Sequence, residues 1–177
     1  MSDRAAGTAL RALLERPHAL ADVEDLLARD PSLAGVRAAA MGDDRARGPW
    51  AHVAAVVDRV ERAAAGDDDA WLLKLVALVH EAPRETLGMI ADAGFADAVP
   101  IADAILSGFG EIWKARDAAD VGRIVASRSA TLRALLLFEV AHEDAATTAM
   151  RAAARAGGLE RELDGWLARL AATRRHE

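Results

Sequence analysis

Residues 71–81 have the sequence WLLKLVALVHE, which is apolar at nearly every position. A helix built from these residues is apolar on all sides, whereas a surface helix carries its apolar residues in one stripe. A helix of this kind has to lie in the middle of a bundle and be covered by other helices. The segment therefore predicts an all-α fold, a compact helical bundle with a central helix over residues 70–81.

Shorter helices are predicted on both sides of the central segment. Residues 1–47 form a short N-terminal lead-in of three helices, because prolines and polar breakers interrupt the helical spacing of Leu, Val and Ala. We expect the rest of the chain, residues 48–177, to be the main helical domain and one structural unit. Its predicted helices cover residues 49–65, 70–81, 84–93, 95–107, 119–126, 130–156 and a final segment from 159.

Composition narrows the classes of function. The 177 residues suffice for one domain with a sizeable core. Cysteine is absent, which excludes disulfides, thiolate metal sites and cysteine nucleophiles. The formal net charge of -6 disfavours broad nucleic-acid binding, which depends on clustered Lys and Arg. No apolar run is long enough for a bilayer and no signal segment is found, so we expect a cytoplasmic protein without a membrane partner.

The residues with the clearest chemical potential are histidines followed or accompanied by acids. His52 lies at the start of one predicted helix, His80-Glu81 ends the central helix, and residues 142–144 have the sequence His-Glu-Asp. Imidazoles and carboxylates on packed helices are able to converge on one cation. Taken singly, a histidine at a helix end is more often a cation that interacts with the helix dipole. The combination makes a metal site more plausible than any one of these histidines does alone.

Three segments together resemble the HD superfamily of metal-dependent phosphohydrolases, and most closely the HD region of bacterial tRNA nucleotidyltransferases and poly(A) polymerases. Residues 49–63 (PWAHVAAVVDRVERA) are similar to the opening helix of that family, which carries its first metal-binding histidine. Residues 73–84 (LKLVALVHEAPR) resemble its central helix, which ends in His-Asp and is followed by a lysine. Residues 135–148 (LLLFEVAHEDAATT) resemble the late helix with its last aspartate. The resemblance implies a bundle of HD-domain type.

The resemblance also implies a set of site residues. His52 and His80 would be metal ligands, Glu81 would replace the family's aspartate, and Asp144 would be the closing ligand. Arg84 would take the place of a lysine that contacts phosphate, so the catalytic roles would fall to Glu81 and Arg84. The implied cofactor is one divalent ion (Mn, Fe, Ni, Zn or Mg), and a site without metal is the equally open alternative.

Because the sequence departs from the family pattern, two functions and one alternative without a shared function stay open. Glutamate replaces the aspartate at residue 81, Ala82-Pro83 replaces the usual Ile-Gly, and residues 86–107 contain no histidine for the family's second metal-binding segment. The first hypothesis is a degenerate HD-type domain that binds a ligand or a protein and has a regulatory role. The second is a single-metal phosphohydrolase acting on a nucleotide or another phosphoester. A helical bundle with a coincidental similarity is the third alternative.

Overall fold

The structure is a computed structural model that describes residues 3–41, 48–82, 87–88 and 91–173. Within these residues every regular element is helical, which confirms the predicted all-α class. The lead-in contains α1 (Asp3–Glu15), α2 (Leu20–Arg29), a 3₁₀ turn (Pro31–Leu33) and α3 (Ala34–Met41). The following elements are α4 (Gly48–Ala63), α5 (Ala70–Val79), a kinked turn (Ala91–Phe95), α6 (Val99–Gly108), α7 (Ala118–Ser127), α8 (Leu132–Glu143), α9 (Thr148–Ala156) and α10 (Glu160–Thr173).

Helix α5 is the central helix, as its composition predicts. Every residue from Leu72 to Val79 is buried, including the charged Lys74. Helices α1, α3, α4, α6 and α8 all pack against it. Because α5 is covered on all sides, its last residues bring His80 into the interior of the bundle.

The lead-in shares the hydrophobic core of the main domain. Leu10 and Leu14 of α1, Leu27 of α2 and Val36 of α3 are all buried in the same core as α4 and α5. Helix α1 packs directly against α5, and α3 packs against both α4 and α5. The lead-in therefore covers one side of the central helix.

The prediction of one long helix over residues 130–156 is wrong. Helix α8 ends at Glu143, and Asp144 follows in the left-handed conformation with φ 55°. A new helix, α9, follows. Thr147 is its N-cap residue, and its side-chain oxygen accepts a hydrogen bond from the Met150 amide at 3.2 Å. Aspartate tolerates the left-handed region better than most residues, and a threonine cap satisfies the first amides of a new helix. These two local interactions outweigh the helix propensity of the surrounding alanines.

The side chain of Trp113 is exposed, while its neighbour Ile112 is fully buried. Asp69 occupies the N-cap position of α5 but makes no side-chain capping bond. Asp67 instead accepts hydrogen bonds from Arg133 at 3.0 and 3.1 Å. None of the described helices combines the length and apolar character required to cross a bilayer.

Candidate metal centre

Three helix ends bring three histidines to one point. His52 lies near the start of α4, His80 directly follows α5, and His142 lies in the last turn of α8. Helix α4 packs against both α5 and α8, and α5 also packs against α8. The three imidazole rings have mutual centroid distances of 5.1 to 5.2 Å. We call His52, His80, His142 and the adjacent Glu81 the histidine centre.

The polar atoms of the histidine centre are close enough to share one ion. The Nε2 atoms of His52 and His80 are 3.1 Å apart. An Oε1 atom of Glu81 lies 3.1 Å from the His80 Nε2 and 3.4 Å from the His52 Nε2. With His142 included, one donor atom from each of the four residues lies within 4.8 Å of all the others. Donor atoms on one tetrahedral zinc ion are separated by about 3.3 to 3.4 Å, which is close to the separations among His52, His80 and Glu81.

The hydrogen bonds of His80 direct its metal-binding atom toward the centre. Its Nδ1 lies 2.8 Å from the Ala77 carbonyl oxygen, which accepts but cannot donate, so Nδ1 carries the proton. The neutral ring then has a lone pair on Nε2, where His52 and Glu81 approach. Burial is the largest influence on the His80 ring and lowers its pKa, which disfavours a second proton.

The centre is therefore rich in acceptors and poor in protons. In its neutral form, with Nδ1 bound to the Ala77 carbonyl, His80 presents the Nε2 lone pair to a carboxylate oxygen of Glu81 at 3.1 Å. Two acceptors at this distance repel each other unless a positive group lies between them. A proton on the His52 Nε2 could satisfy one of them, whereas a metal ion satisfies all of them together.

His142 is oriented by an acid in the same way that metal-binding histidines commonly are. Its Nδ1 lies 2.9 Å from a carboxylate oxygen of Glu143, which accepts the Nδ1 proton. This hydrogen bond leaves the Nε2 of His142 as the atom available for a metal. Carboxylates or carbonyls behind the ligating histidines fix the tautomer and the ring orientation. The histidine centre has both kinds, Glu143 behind His142 and the Ala77 carbonyl behind His80.

The histidine centre has a buried side and an exposed side. The side chain of His80 is 0% exposed, while those of His52 and Glu81 are 41% and 49% exposed. On the buried side, the ring of Phe109 lies 4.8 Å from the ring of His142 and 6.2 Å from that of His80. The fully buried Phe138 lies 5.9 Å from His80. A ligand from solvent can therefore approach between His52 and Glu81.

The structure brings together three of the four metal ligands suggested by the sequence. His52, His80 and Glu81 belong to the histidine centre, but Asp144 does not, and His142 takes the fourth position. Asp144 follows the end of α8 in the left-handed conformation, and a residue two positions after His142 does not share its helix face in any case. The sequence contains one indication that His142 faces the interior: it follows the apolar residue Phe138 by four positions, and residues four apart share a helix face. Arg84 lies outside the described residues.

Comparison with known proteins adds no relative. No family model matches the chain, and neither a curated protein nor a solved structure is significantly similar to it. The resemblance to the HD superfamily therefore stays a prediction that depends on the three sequence segments.

Proposed function

We propose that this chain is a metal-binding helical domain that holds one divalent transition-metal ion with His52, His80, His142 and Glu81. The observation that carries the proposal is the convergence of four donor groups from three helices within 4.8 Å of one another. The tautomers of His80 and His142 add support, because both rings have their Nδ1 atoms occupied and their Nε2 atoms available.

The donor set favours particular metals among those expected from the sequence. Three imidazoles and one carboxylate suit Zn, Ni or Fe, whereas Mg prefers an octahedron of oxygen atoms. We therefore favour Zn, Ni or Fe over Mg and Mn. The HD resemblance suggests the same location, although Glu81 replaces an aspartate and His142 replaces the predicted Asp144.

The role that we propose for the bound metal is ligand binding in a degenerate HD-type domain. A cation held by these residues would link α4, α5 and α8 and would be accessible to an anionic group between His52 and Glu81. A nucleotide or another phosphoester is the class of ligand that the resemblance suggests. A protein partner that presents a carboxylate would use the same exposed side.

The test is a metal titration of the purified protein with a matched histidine control. After removal of metals with a chelator, the protein should bind about one equivalent of Zn²⁺ or Co²⁺, measured by elemental analysis after desalting. His80→Ala should abolish this binding, because it removes the buried ligand. His18→Asn should leave it unchanged, because His18 is an exposed histidine outside the centre. Equal metal retention by His80→Ala, or none by the wild type, would refute the proposal.

A second candidate function, the single-metal phosphohydrolase, is favoured by the exposure of Glu81. In catalytic zinc sites, three protein ligands commonly leave one position for water, and the bound water ionises near neutral pH. In this alternative the three histidines would hold the ion, Glu81 would accept a proton from the water, and Arg84 would contact phosphate as the resemblance implies. Glu81→Gln should then retain the metal but lose hydrolysis of bis-p-nitrophenyl phosphate. Absence of turnover by the metal-loaded wild type on this substrate and on nucleotides would leave the binding role alone.

A further inference from the structure

The most unusual side chain outside the histidine centre is a buried carboxylate on α8. Glu139 is 0% exposed and lies one helical turn before His142. Its Oε1 accepts hydrogen bonds from the amides of Gly110 at 3.0 Å and Ile112 at 3.3 Å, and its Oε2 accepts one from Trp113 at 3.1 Å. Three backbone amides thus converge on a single carboxylate.

The amides that bind Glu139 belong to the turn that carries Phe109. We call residues 109–113 the Phe109 turn. Gly110 has φ 84°, a conformation that glycine adopts without strain, so the chain reverses directly after Phe109. Reversal at this point places the Phe109 ring against His142 at 4.8 Å and against Phe138 at 5.3 Å.

Burial of a carboxylate at this position is energetically unfavourable. In the described part of the chain no Lys, Arg or His forms an ion pair with Glu139, so only backbone amides compensate for its burial. Burial is the largest influence on this group and raises the pKa of Glu139 to about 7. An apolar residue would avoid that penalty but would leave three amides without a partner. The carboxylate is therefore suited to holding the Phe109 turn in place.

We propose that Glu139 is a positioning residue of the histidine centre, which holds the Phe109 turn so that the Phe109 ring covers the buried side of His80 and His142. The covered rings keep their Nε2 atoms directed at the centre, and water is excluded from the side opposite His52 and Glu81. The inference rests on the proposed metal site for its functional consequence. The packing of Phe109 on the imidazoles can be tested without metal.

The first experiment measures Co²⁺ binding by competition with a chromophoric chelator, together with the visible absorption of the bound Co²⁺. Glu139→Gln and Phe109→Leu should each weaken Co²⁺ binding on the order of tenfold and alter the absorption spectrum, as is typical when groups behind metal ligands are lost. The matched control is Glu111→Gln, which removes a carboxylate from the same turn. Glu111 binds Arg128 at 2.7 and 3.0 Å, so this control should change neither quantity.

The second experiment measures the ring proton shifts of His80 and His142 by NMR in metal-free protein. Phe109→Leu removes the ring current at 4.8 Å and should move the His142 shifts directly. Glu139→Gln should move the same shifts because the Phe109 turn relaxes, and Glu111→Gln should not. Phe109 is half-buried, so Phe109→Leu remains informative even where Glu139→Gln does not fold.

The outcomes separate this inference from the proposed metal site. If the wild type binds no Co²⁺ but Glu139→Gln shifts the imidazole signals, the metal proposal fails and the positioning role stands. If the wild type binds Co²⁺ and Glu139→Gln is folded with unchanged affinity, spectrum and imidazole shifts, the positioning role is refuted. A residue with a purely structural role would change the unfolding midpoint only.

Discussion

Two turns of this protein are each held by a buried charged side chain, but the two charges are compensated in different ways. In the described part of the chain, the buried residues with an ionisable side chain are Lys74 and Glu139. The Lys74 ammonium donates to Glu61 Oε2 and to the Arg16 carbonyl, both at 3.0 Å. Glu61 Oε1 in turn accepts from the His18 amide at 2.8 Å. This arrangement joins the α1–α2 turn to α4 and α5 through an ion pair.

Glu139 holds its turn without an opposite charge. Its three partners are backbone amides of the Phe109 turn, which are dipoles and not ions. An ion pair keeps both partners charged over a wide pH range, whereas a carboxylate among dipoles is sensitive to desolvation. The lead-in turn is therefore held by charge balance, whereas the turn beside the histidine centre is held by a carboxylate whose protonation varies with pH.

Loss of the ion pair at the lead-in turn should lower the free energy of unfolding more than any other change considered below. Lys74→Met keeps a similar volume but leaves Glu61 Oε2 and the Arg16 carbonyl without the donor that Lys74 provides. We expect the free energy of unfolding to fall by about 3 to 4 kcal/mol, because an uncompensated charge is left in a largely buried place. Urea denaturation at pH 7, monitored by circular dichroism, measures this change.

A double variant provides the control for the Lys74 prediction. In Lys74→Met/Glu61→Gln no charge is left behind, so part of the lost stability should return. If the double variant were less stable than Lys74→Met by a further large amount, Glu61 would contribute through contacts other than the ion pair, and the account of charge balance would be wrong.

The next effect is the pH dependence of Glu139. Burial raises the pKa of Glu139 in the folded protein to about 7 from an ordinary value of 4.5. Between these pH values the folded state binds a proton that the unfolded state has lost. The stabilisation from this group is therefore complete below about pH 4.5 and is lost as the pH rises to about 7.

Comparison with Glu139→Gln isolates this titration, because all other groups are common to both proteins. From pH 4.5 to 7.5 the free energy of unfolding of the wild type should fall relative to that of Glu139→Gln, by at most about 3 kcal/mol. Urea unfolding at four pH values, with a chelator present to remove metal, provides the measurement. A difference that stays constant or grows in favour of the wild type with rising pH would contradict the raised pKa.

The central helix could be predicted because its signal is local. Residues 71–81 are apolar all round, and no distant partner is needed to infer that such a helix is buried. The apolar pattern of the two segments also predicted that His52 and His80 belong to helices that pack together. Their actual convergence with Glu81 depends on how α4 crosses α5, which the spacing of residues does not contain.

The features that the sequence missed depend on single residues and distant contacts. The break at Asp144 results from one residue in the left-handed conformation and from the Thr147 cap, within a segment whose alanines favour a helix. The role of Glu139 depends on amides that lie 26 to 29 residues earlier in the chain. His142, and not Asp144, belongs to the centre because the two residues are two positions apart and therefore point to different sides of α8.

The smallest predicted effect tests the backbone of the lead-in turn. His18 has φ 55°, a conformation that costs an ordinary L-residue about 1 to 2 kcal/mol, while the corresponding position in the Phe109 turn is already a glycine. His18→Gly removes this strain but increases the entropy of the unfolded chain, so we expect a net gain of about 0.5 kcal/mol. The lost side chain is exposed and its ion pair with Glu61 contributes little. His18→Ala is the control, because alanine retains the Cβ atom and should give no gain in the urea unfolding midpoint. An equal gain from both variants would show that the imidazole, and not the backbone conformation, was the unfavourable element.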